Sequence, residues 1–329
     1  MSSVRVALFG CGQWGKNVAR TLAEAGALAV VVDAFPAQAE ALAKTLNVPF
    51  EHDVAKVLAD PSIQACAITT PAETHFAVAK QAIRAGKDVF VEKPITTLIG
   101  DAIALKELAA DEKRILMVGH LLQYHPYFVE LLKRVRAGNL GKLLYIYSNR
   151  ANLGRVRHNE SALWSLAPHD VSMVLALADE LPSSITANGA KALQPAIDDA
   201  VMTTLSFPSG IQGHIFSSWI NPFKEQKLAV SGEKGMLVLD DTAPWEKKLT
   251  LHHHKIEYPN GKPEAKAGEA EHIVLPQAAP LREEVDHFLS CVQTRQQPRT
   301  DGAEALRVLR VLRACDESLA SGKRIELKE

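Results

Sequence analysis

Near the start of the chain, Gly10-Cys11-Gly12-Gln13-Trp14-Gly15 forms a Gly-x-Gly-x-x-Gly that follows an apolar strand-like run and opens a helix-forming stretch. Each glycine meets a separate physical need. Gly10 permits a tight turn, Gly12 lets the backbone approach a pyrophosphate, and Gly15 lets the helix pack closely on the strand, which leaves the phosphates at the positive helix end. Asp33 closes the next apolar run, about 20 residues on, where a carboxylate bonds the adenine-ribose hydroxyls. A 2′-phosphate would meet that carboxylate, and no Arg or Lys follows until Lys44, so the pattern expects NAD and not NADP. Gln13 and Trp14, inside the turn, are counted among the cofactor contacts. Cys11 reads as a small packed residue beside the cofactor and not as a redox thiol.

Two further segments follow strand-like runs, where open α/β sheets bind ligands: Thr70-Pro71 with His75, and Glu92-Lys93-Pro94; Thr70, Pro71, His75, Glu92 and Lys93 are counted among the cofactor contacts. Pro94 has no backbone N–H and restricts Lys93 to extended geometry, which fixes the direction of an ammonium. Residues 131–159 hold no acid, but they include Lys133, Arg134, Arg136, Lys142, Arg150, Arg155 and Arg157. In a chain of net charge -1 such a segment points to an anionic ligand, although the first three lie on a helical pattern and fit a solvated face equally well.

With these motifs in place, the sequence resembles the Gfo/Idh/MocA family of oxidoreductases over essentially its whole length. The residues that carry the resemblance are Gly10 to Gly15, Thr70-Pro71 with His75, Glu92-Lys93-Pro94, and Ala167-Pro168-His169-Asp170. The resemblance implies NAD as cofactor, a catalytic Lys93 in a commonly cis peptide with Pro94, and His169 as the base. It also implies a C-terminal open sheet that binds substrate and forms homo-oligomers, dimers or tetramers. In one respect the chain departs from the family: many members place an aspartate four residues before this histidine, and here that residue is Ser165. A serine cannot supply the charge that raises histidine basicity.

The stretch Asn149-Arg150-Ala151-Asn152-Leu153-Gly154-Arg155-Val156-Arg157 is expected as a loop after the first strand of the second domain. With Trp164 and Ser165 it resembles the members that oxidise UDP-activated amino sugars, in particular UDP-N-acetylglucosamine 3-dehydrogenases. A diphosphate asks for guanidinium forks, and an acetamido sugar asks for amide and hydroxyl partners. The expected substrate contacts are His120, Tyr124, Asn149, Arg150, Asn152, Arg155, Arg157, Trp164, Ser165, His169 and Asp170; packing is the competing role for His120 and Tyr124. Oxidation of the corresponding uronic acid stays open, as does another sugar or polyol substrate. A dinucleotide-bound sensor without chemistry is the alternative from a different class.

The elements that must position these residues follow from periodicity. Apolar runs at 4–9, 28–32, 65–69, 88–91 and 116–118 alternate with alanine-rich helical stretches, as βαβ units around a parallel sheet require. After residue 140 come β-branched and aromatic runs at 143–148, 184–190, 201–207, 211–219 and 227–230, with a hairpin turn at Phe207-Pro208-Ser209-Gly210-Ile211. The expected class is α/β: an N-terminal Rossmann doubly wound parallel sheet plus a C-terminal α+β domain with a large open, mostly antiparallel sheet. Residues 1–120 are assigned to NAD binding and 121–329 to substrate binding and oligomerisation, with the C-terminal helices packing back on the first domain. Residues 258–268 read as an exposed loop.

Composition excludes several other classes. The 329 residues, 47% hydrophobic and 23% charged, are ordinary for a two-domain globular chain. The near-zero net charge provides no global field toward nucleic acid or an anionic membrane. No basic start with an apolar run marks a signal peptide, and no window is apolar enough for a bilayer. The four cysteines are scattered, so a cytoplasmic, disulfide-free protein is expected. His252-His253-His254 alternate across a strand, so no metal site is expected.

Overall fold

The structure, a computed structural model, describes residues 4–327. The chain divides into two compact units, residues 4–124 with 279–309, and residues 125–278 with 310–327.

In the first unit strands and helices alternate: β1 (Val6–Phe9), α1 (Gly15–Glu24), β2 (Leu28–Val32), α2 (Pro36–Leu46), β3 (Phe50–Glu51), α3 (Val54–Ala59), β4 (Ala65–Ile68), α4 (His75–Arg84), β5 (Asp88–Glu92), α5 (Ile99–Asp111) and β6 (Leu116–Gly119). The strands pair in parallel in the order β3-β2-β1-β4-β5-β6. The order reverses between β1 and β4, and at such a switch point the loops after the strands splay to admit a ligand. Every residue of β1, β4, β5 and β6 is buried, which explains why these strands appear in the sequence as unbroken apolar runs without alternation. β3, with two residues, is too short to leave a pattern.

The second unit begins with α6 (Pro126–Arg136), β7 (Leu143–Leu153) and α7 (Ala162–Ala178). It continues through β8 (Ser184–Ala190), β9 (Ala200–Ser206), β10 (Gln212–Ser218), β11 (Ile220–Gly232), β12 (Gly235–Asp240), β13 (Leu249–Glu257) and β14 (Glu264–Ile273). After these come α8 (Pro280–Thr294), which lies in the first unit, α9 (Gly302–Ser321), and β15 (Ile325–Glu326). The nine-stranded sheet runs β14-β13-β12-β11-β7-β10-β9-β8-β15. Its pairs are antiparallel except β10 with β7. The Phe207–Ile211 turn joins β9 to β10 as a hairpin.

Two sequence expectations need correction. β7 runs on to Leu153, so Asn149 to Leu153 are strand residues and not loop; their pairing with β10 and β11 outweighs the low strand propensity of two asparagines. The exposed loop expected at 258–268 becomes strand from Glu264, where β14 pairs with β13. Nine of the ten residues of β14 are exposed, so no apolar alternation announces it. α7 is a helix in spite of Pro168 in its interior.

Candidate active site

The turn after β1 has the geometry its glycines suggest. Gly10 has φ +99°, and a Cβ there would lie 2.8 Å from the Thr69 carbonyl. A Cβ on Gly15 would fall 2.0 Å from the Gly10 carbonyl oxygen, whereas one on Gly12 would meet nothing within 4 Å. The Thr69 hydroxyl donates to the Gly10 carbonyl at 2.7 Å and fastens the turn to the end of β4. Asp33 is held by two backbone donors, with Cys11 N–H reaching Oδ2 at 2.7 Å and Phe35 N–H reaching Oδ1 at 2.9 Å. A cavity of about 430 Å³ opens here, lined by Gly12, Gln13, Lys16 and Gln38 among others. Open backbone at Gly12, a cation at Lys16 and a fixed carboxylate at Asp33 suit a dinucleotide: phosphate at the turn, ribose at the acid. Burial, and then the Asp33 charge, push the Cys11 thiol up to about 12, so it stays protonated.

Glu92 ends β5 and Lys93 follows in a cis peptide with Pro94. The Trp14 indole N–H donates to Glu92 Oε1 at 2.5 Å, and the Lys93 N–H donates to Oε2 at 3.3 Å. A Cβ on Gly119 of β6, the register partner of Glu92, would sit 3.0 Å from the carboxyl, so only glycine leaves that space. Burial pushes Glu92 above the usual carboxylate range, against the Trp14 hydrogen bond and the Lys93 charge. Gly10 to Gly15, Thr70 and Lys93 thus lie together at the carboxyl ends of β1, β4 and β5.

His75, Glu92, His120 and Tyr124 act inside the protein. The His75 ring is buried at 1% exposure, with Nδ1 2.8 Å from the Pro94 carbonyl oxygen and Nε2 2.8 Å from that of Thr70. It ties the loop after β4 to the loop after β5, which corrects the expectation of a direct cofactor contact. Glu92, expected at the cofactor, likewise has its carboxyl turned to protein donors. His120 Nδ1 lies 2.6 Å from Glu304 Oε2, and the Tyr124 hydroxyl bonds Thr300 at 2.9 Å beneath the Arg299 guanidinium. Both are buried pins for residues 299–304, which corrects their assignment to substrate. Their placement after β6 resembles that of cleft residues, and only the partners distant in sequence reveal the packing role.

In the second unit, α7 packs on β10 closely enough that a Cβ on Gly213 would lie 3.3 Å from Val174. Ser165 and His169 are four residues apart on α7 and so share one helix face, with His169 partly exposed. Asp170, next to it, is fully buried: it accepts Arg150 Nε at 2.6 Å, Arg150 Nη2 at 3.1 Å and the Ser148 hydroxyl at 2.6 Å. Arg150 and Asp170 were expected at the substrate; instead they neutralise one another in the core. Asn149 alternates to the opposite sheet face from Arg150 and Asn152 and bonds Glu225 at 3.2 Å. The Trp164 indole N–H bonds Asp316 at 3.0 Å, and the ring lies under the Arg313 guanidinium. Both partners come from α9 and are not apparent from the local sequence.

The run of cations is also less bare than its sequence window. Lys133 and Arg134 pair with Glu130, and Arg157 lies 3.4 Å from Glu160, acids standing one residue outside each end of the window. Arg155 is exposed in the coil beyond β7. The three histidines of β13 separate: His253 pairs with Glu271 and His254 bonds the Gly232 carbonyl. Among the described residues no group of three or more His, Cys, Asp or Glu is placed to hold a metal ion. None of the described helices is long and apolar enough to cross a membrane.

Comparison with known proteins agrees with this geometry. Residues 4–120 match the family model described as oxidoreductase family, NAD-binding Rossmann fold, and residues 128–238 match the GFO/IDH/MocA C-terminal domain. The chain belongs to the Gfo/Idh/MocA family. It is therefore an NAD-dependent oxidoreductase. Among its Gfo/Idh/MocA relatives, scyllo-inositol 2-dehydrogenase (NAD(+)) of Bacillus subtilis is 26% identical, covering 98% of this chain and 96% of the relative. UDP-N-acetylglucosamine 3-dehydrogenase of Acidithiobacillus ferrooxidans is 25% identical, covering 94% of this chain and 95% of the relative. A solved structure of that second enzyme superposes with a TM-score of 0.84 at 23% identity over 98% of this chain and 99% of the other, a shared fold.

Proposed function

We propose that this protein oxidises one secondary hydroxyl of a sugar or polyol to a ketone, with NAD as the electron acceptor. The observation that carries the reading is Lys93, set directly after β5 at the same sheet edge as the Gly10–Gly15 turn and braced through Glu92. An ammonium there stabilises the alkoxide that develops as the hydroxyl loses its proton. His169 is assigned as the base that takes this proton, and Ser165, one turn earlier on α7, as a polar substrate contact on the same face. NAD, when bound, supplies the two-electron acceptor that the protein's own side chains lack.

For the substrate we infer a UDP-activated amino sugar, oxidised at C3 as in UDP-N-acetylglucosamine. Arg155 and Arg157 just beyond β7 support this, since guanidinium forks suit a diphosphate, and Asn152 supplies an amide for the acetamido group. A neutral polyol is the second reading. It is favoured by the pairing of Lys133, Arg134 and Arg150 with acids of the protein, which leaves fewer cations for a diphosphate, and by the inositol relative. The open face of the second sheet is assigned as the contact for a homodimer or tetramer, a reading supported by exposed Tyr145 of β7 and Met202 of β9.

The test is turnover with NAD on UDP-N-acetylglucosamine, its uronic acid, myo-inositol and scyllo-inositol, following reduced cofactor and ketone mass. Preference for the amino-sugar nucleotide supports the first reading, and preference for an inositol the second. A strong preference for the uronate would contradict both, and no product from any of them would leave the sensor reading.

A further inference from the structure

Behind Lys93 lies a second buried acid that the proposed chemistry leaves unused. On β5, Phe90 and Glu92 lie on one face by the two-residue period; on α8, Glu284 and Phe288 lie on one face, a turn apart. The Phe90 and Phe288 rings meet at 5.8 Å, and Glu92 and Glu284, one step from these rings on each element, are near enough to act on one another electrostatically. Glu284 is fully buried, and among the described residues neither of its carboxyl oxygens has a hydrogen-bond partner. Glu92, in contrast, has Trp14 on one oxygen and the Lys93 N–H on the other.

An isolated carboxylate in such a place is too costly to remain charged, and two facing carboxylates cannot both ionise. The charges of Lys93 and His120 act on Glu92, while that of Glu284 acts on Tyr124, whose ring lies under the Arg299 guanidinium. On α8 itself, Arg282 interacts with Asp286, Glu24 of α1 and Glu283, and His287 stands against Tyr124. The charge that acts on Glu284 is therefore that of another acid. Burial first, and the Glu92 charge second, push Glu284 well above the usual carboxylate range.

We propose that Glu284 is a positioning residue that keeps its proton at neutral pH, so that Glu92 alone is the anion bracing Trp14 and the Lys93 backbone. The proposal rests on the reading of Lys93 as the catalytic ammonium. With Glu284 neutral, one negative charge serves one ammonium. If Glu284 ionised, the two acids would repel and Glu92 would be driven from its two donors.

The experiment is infrared difference spectroscopy of the holoenzyme, wild type minus Glu284→Gln, with a pH profile of kcat/KM for both. The expected result is a protonated carboxyl C=O band in wild type at neutral pH that disappears in the variant. Glu284→Gln is expected to keep kcat within about twofold at neutral pH, while the alkaline fall in activity moves to higher pH. Glu284→Leu, also neutral, should fold and melt no earlier than wild type. Absence of the carboxyl band at neutral pH, or a tenfold or greater loss in Glu284→Gln with an unchanged pH profile, would overturn the proposal. The spectrum reads Glu284 whether or not Lys93 is catalytic, so failure of the catalytic reading is distinguishable from failure of this one.

Discussion

Asp170 receives the Arg150 guanidinium in a two-point contact, Nε at 2.6 Å and Nη2 at 3.1 Å, with Asp170 wholly buried beside His169. The pair joins β7 to α7 and so fixes the helix that carries His169. It also means that the aspartate next to the assigned base is engaged in the core by Arg150 and Ser148. Removing one partner of a buried pair leaves a charge without compensation, which typically costs about 3–5 kcal/mol. Asp170→Ala should lower the unfolding free energy by about that amount in denaturant titration, whereas a change within experimental error would show the pair to be dispensable.

The phosphate turn allows two glycine substitutions to be told apart. Gly15→Ala places a methyl group 2.0 Å from the Gly10 carbonyl oxygen, so the turn itself must move and both stability and NAD binding should fall. Gly12→Ala meets no protein atom within 4 Å, so the fold should melt as wild type while NAD affinity drops by tenfold or more, about 1.4 kcal/mol. Thermal melting with and without NAD measures both, and wild-type NAD affinity in Gly12→Ala would remove the pyrophosphate from that turn.

Asp33 orients its carboxyl through Cys11 and Phe35 N–H groups, leaving lone pairs for ribose hydroxyls. Hydrogen bonds to a charged group contribute about 1.5–3 kcal/mol each. Asp33→Ser should therefore weaken NAD binding by about tenfold to a hundredfold and narrow the preference over NADP. Equal NAD affinity in calorimetry would exclude Asp33 as the ribose partner.

His75 gives stability an acid limb. Burial lowers its pKa below the ordinary 6.5, despite the carbonyls of Pro94 and Thr70. The unfolded chain then binds the proton first, so stability present above pH 6.5 is lost as pH falls from 6.5 toward the folded-state value. The slope in that window is at most about 1.4 kcal/mol per pH unit. Denaturant midpoints of His75→Gln should lose this dependence; an unchanged acid limb would place its origin elsewhere.

Much of this architecture is legible in the chain itself, for reasons that differ by residue. The strands β1, β4, β5 and β6 announce themselves because burial on both faces favours apolar runs without alternation, and the glycine turn because three backbone constraints coincide within six residues. Lys93 is marked by its proline. The helix α7 is obscured by Pro168, and β14 by exposure of both its faces. The acid partners of Arg134, Arg150 and Arg157 are hidden from a window of sequence, because Glu130 and Glu160 stand just outside it and Asp170 meets Arg150 only through the fold. Glu284 lies far along the chain from Glu92 and becomes meaningful only when α8 packs beneath β5.

The most direct test of the account is Lys93→Ala, assayed for NAD binding by calorimetry and for turnover on whichever sugar or polyol the wild type oxidises. If Lys93 donates to the reacting oxygen, as proposed, and does not hold the dinucleotide, the variant should bind NAD within about threefold of wild type. Its turnover should fall by about a hundredfold to a thousandfold, the scale of losing one donor to a developing oxyanion. Undiminished turnover in Lys93→Ala would contradict the account.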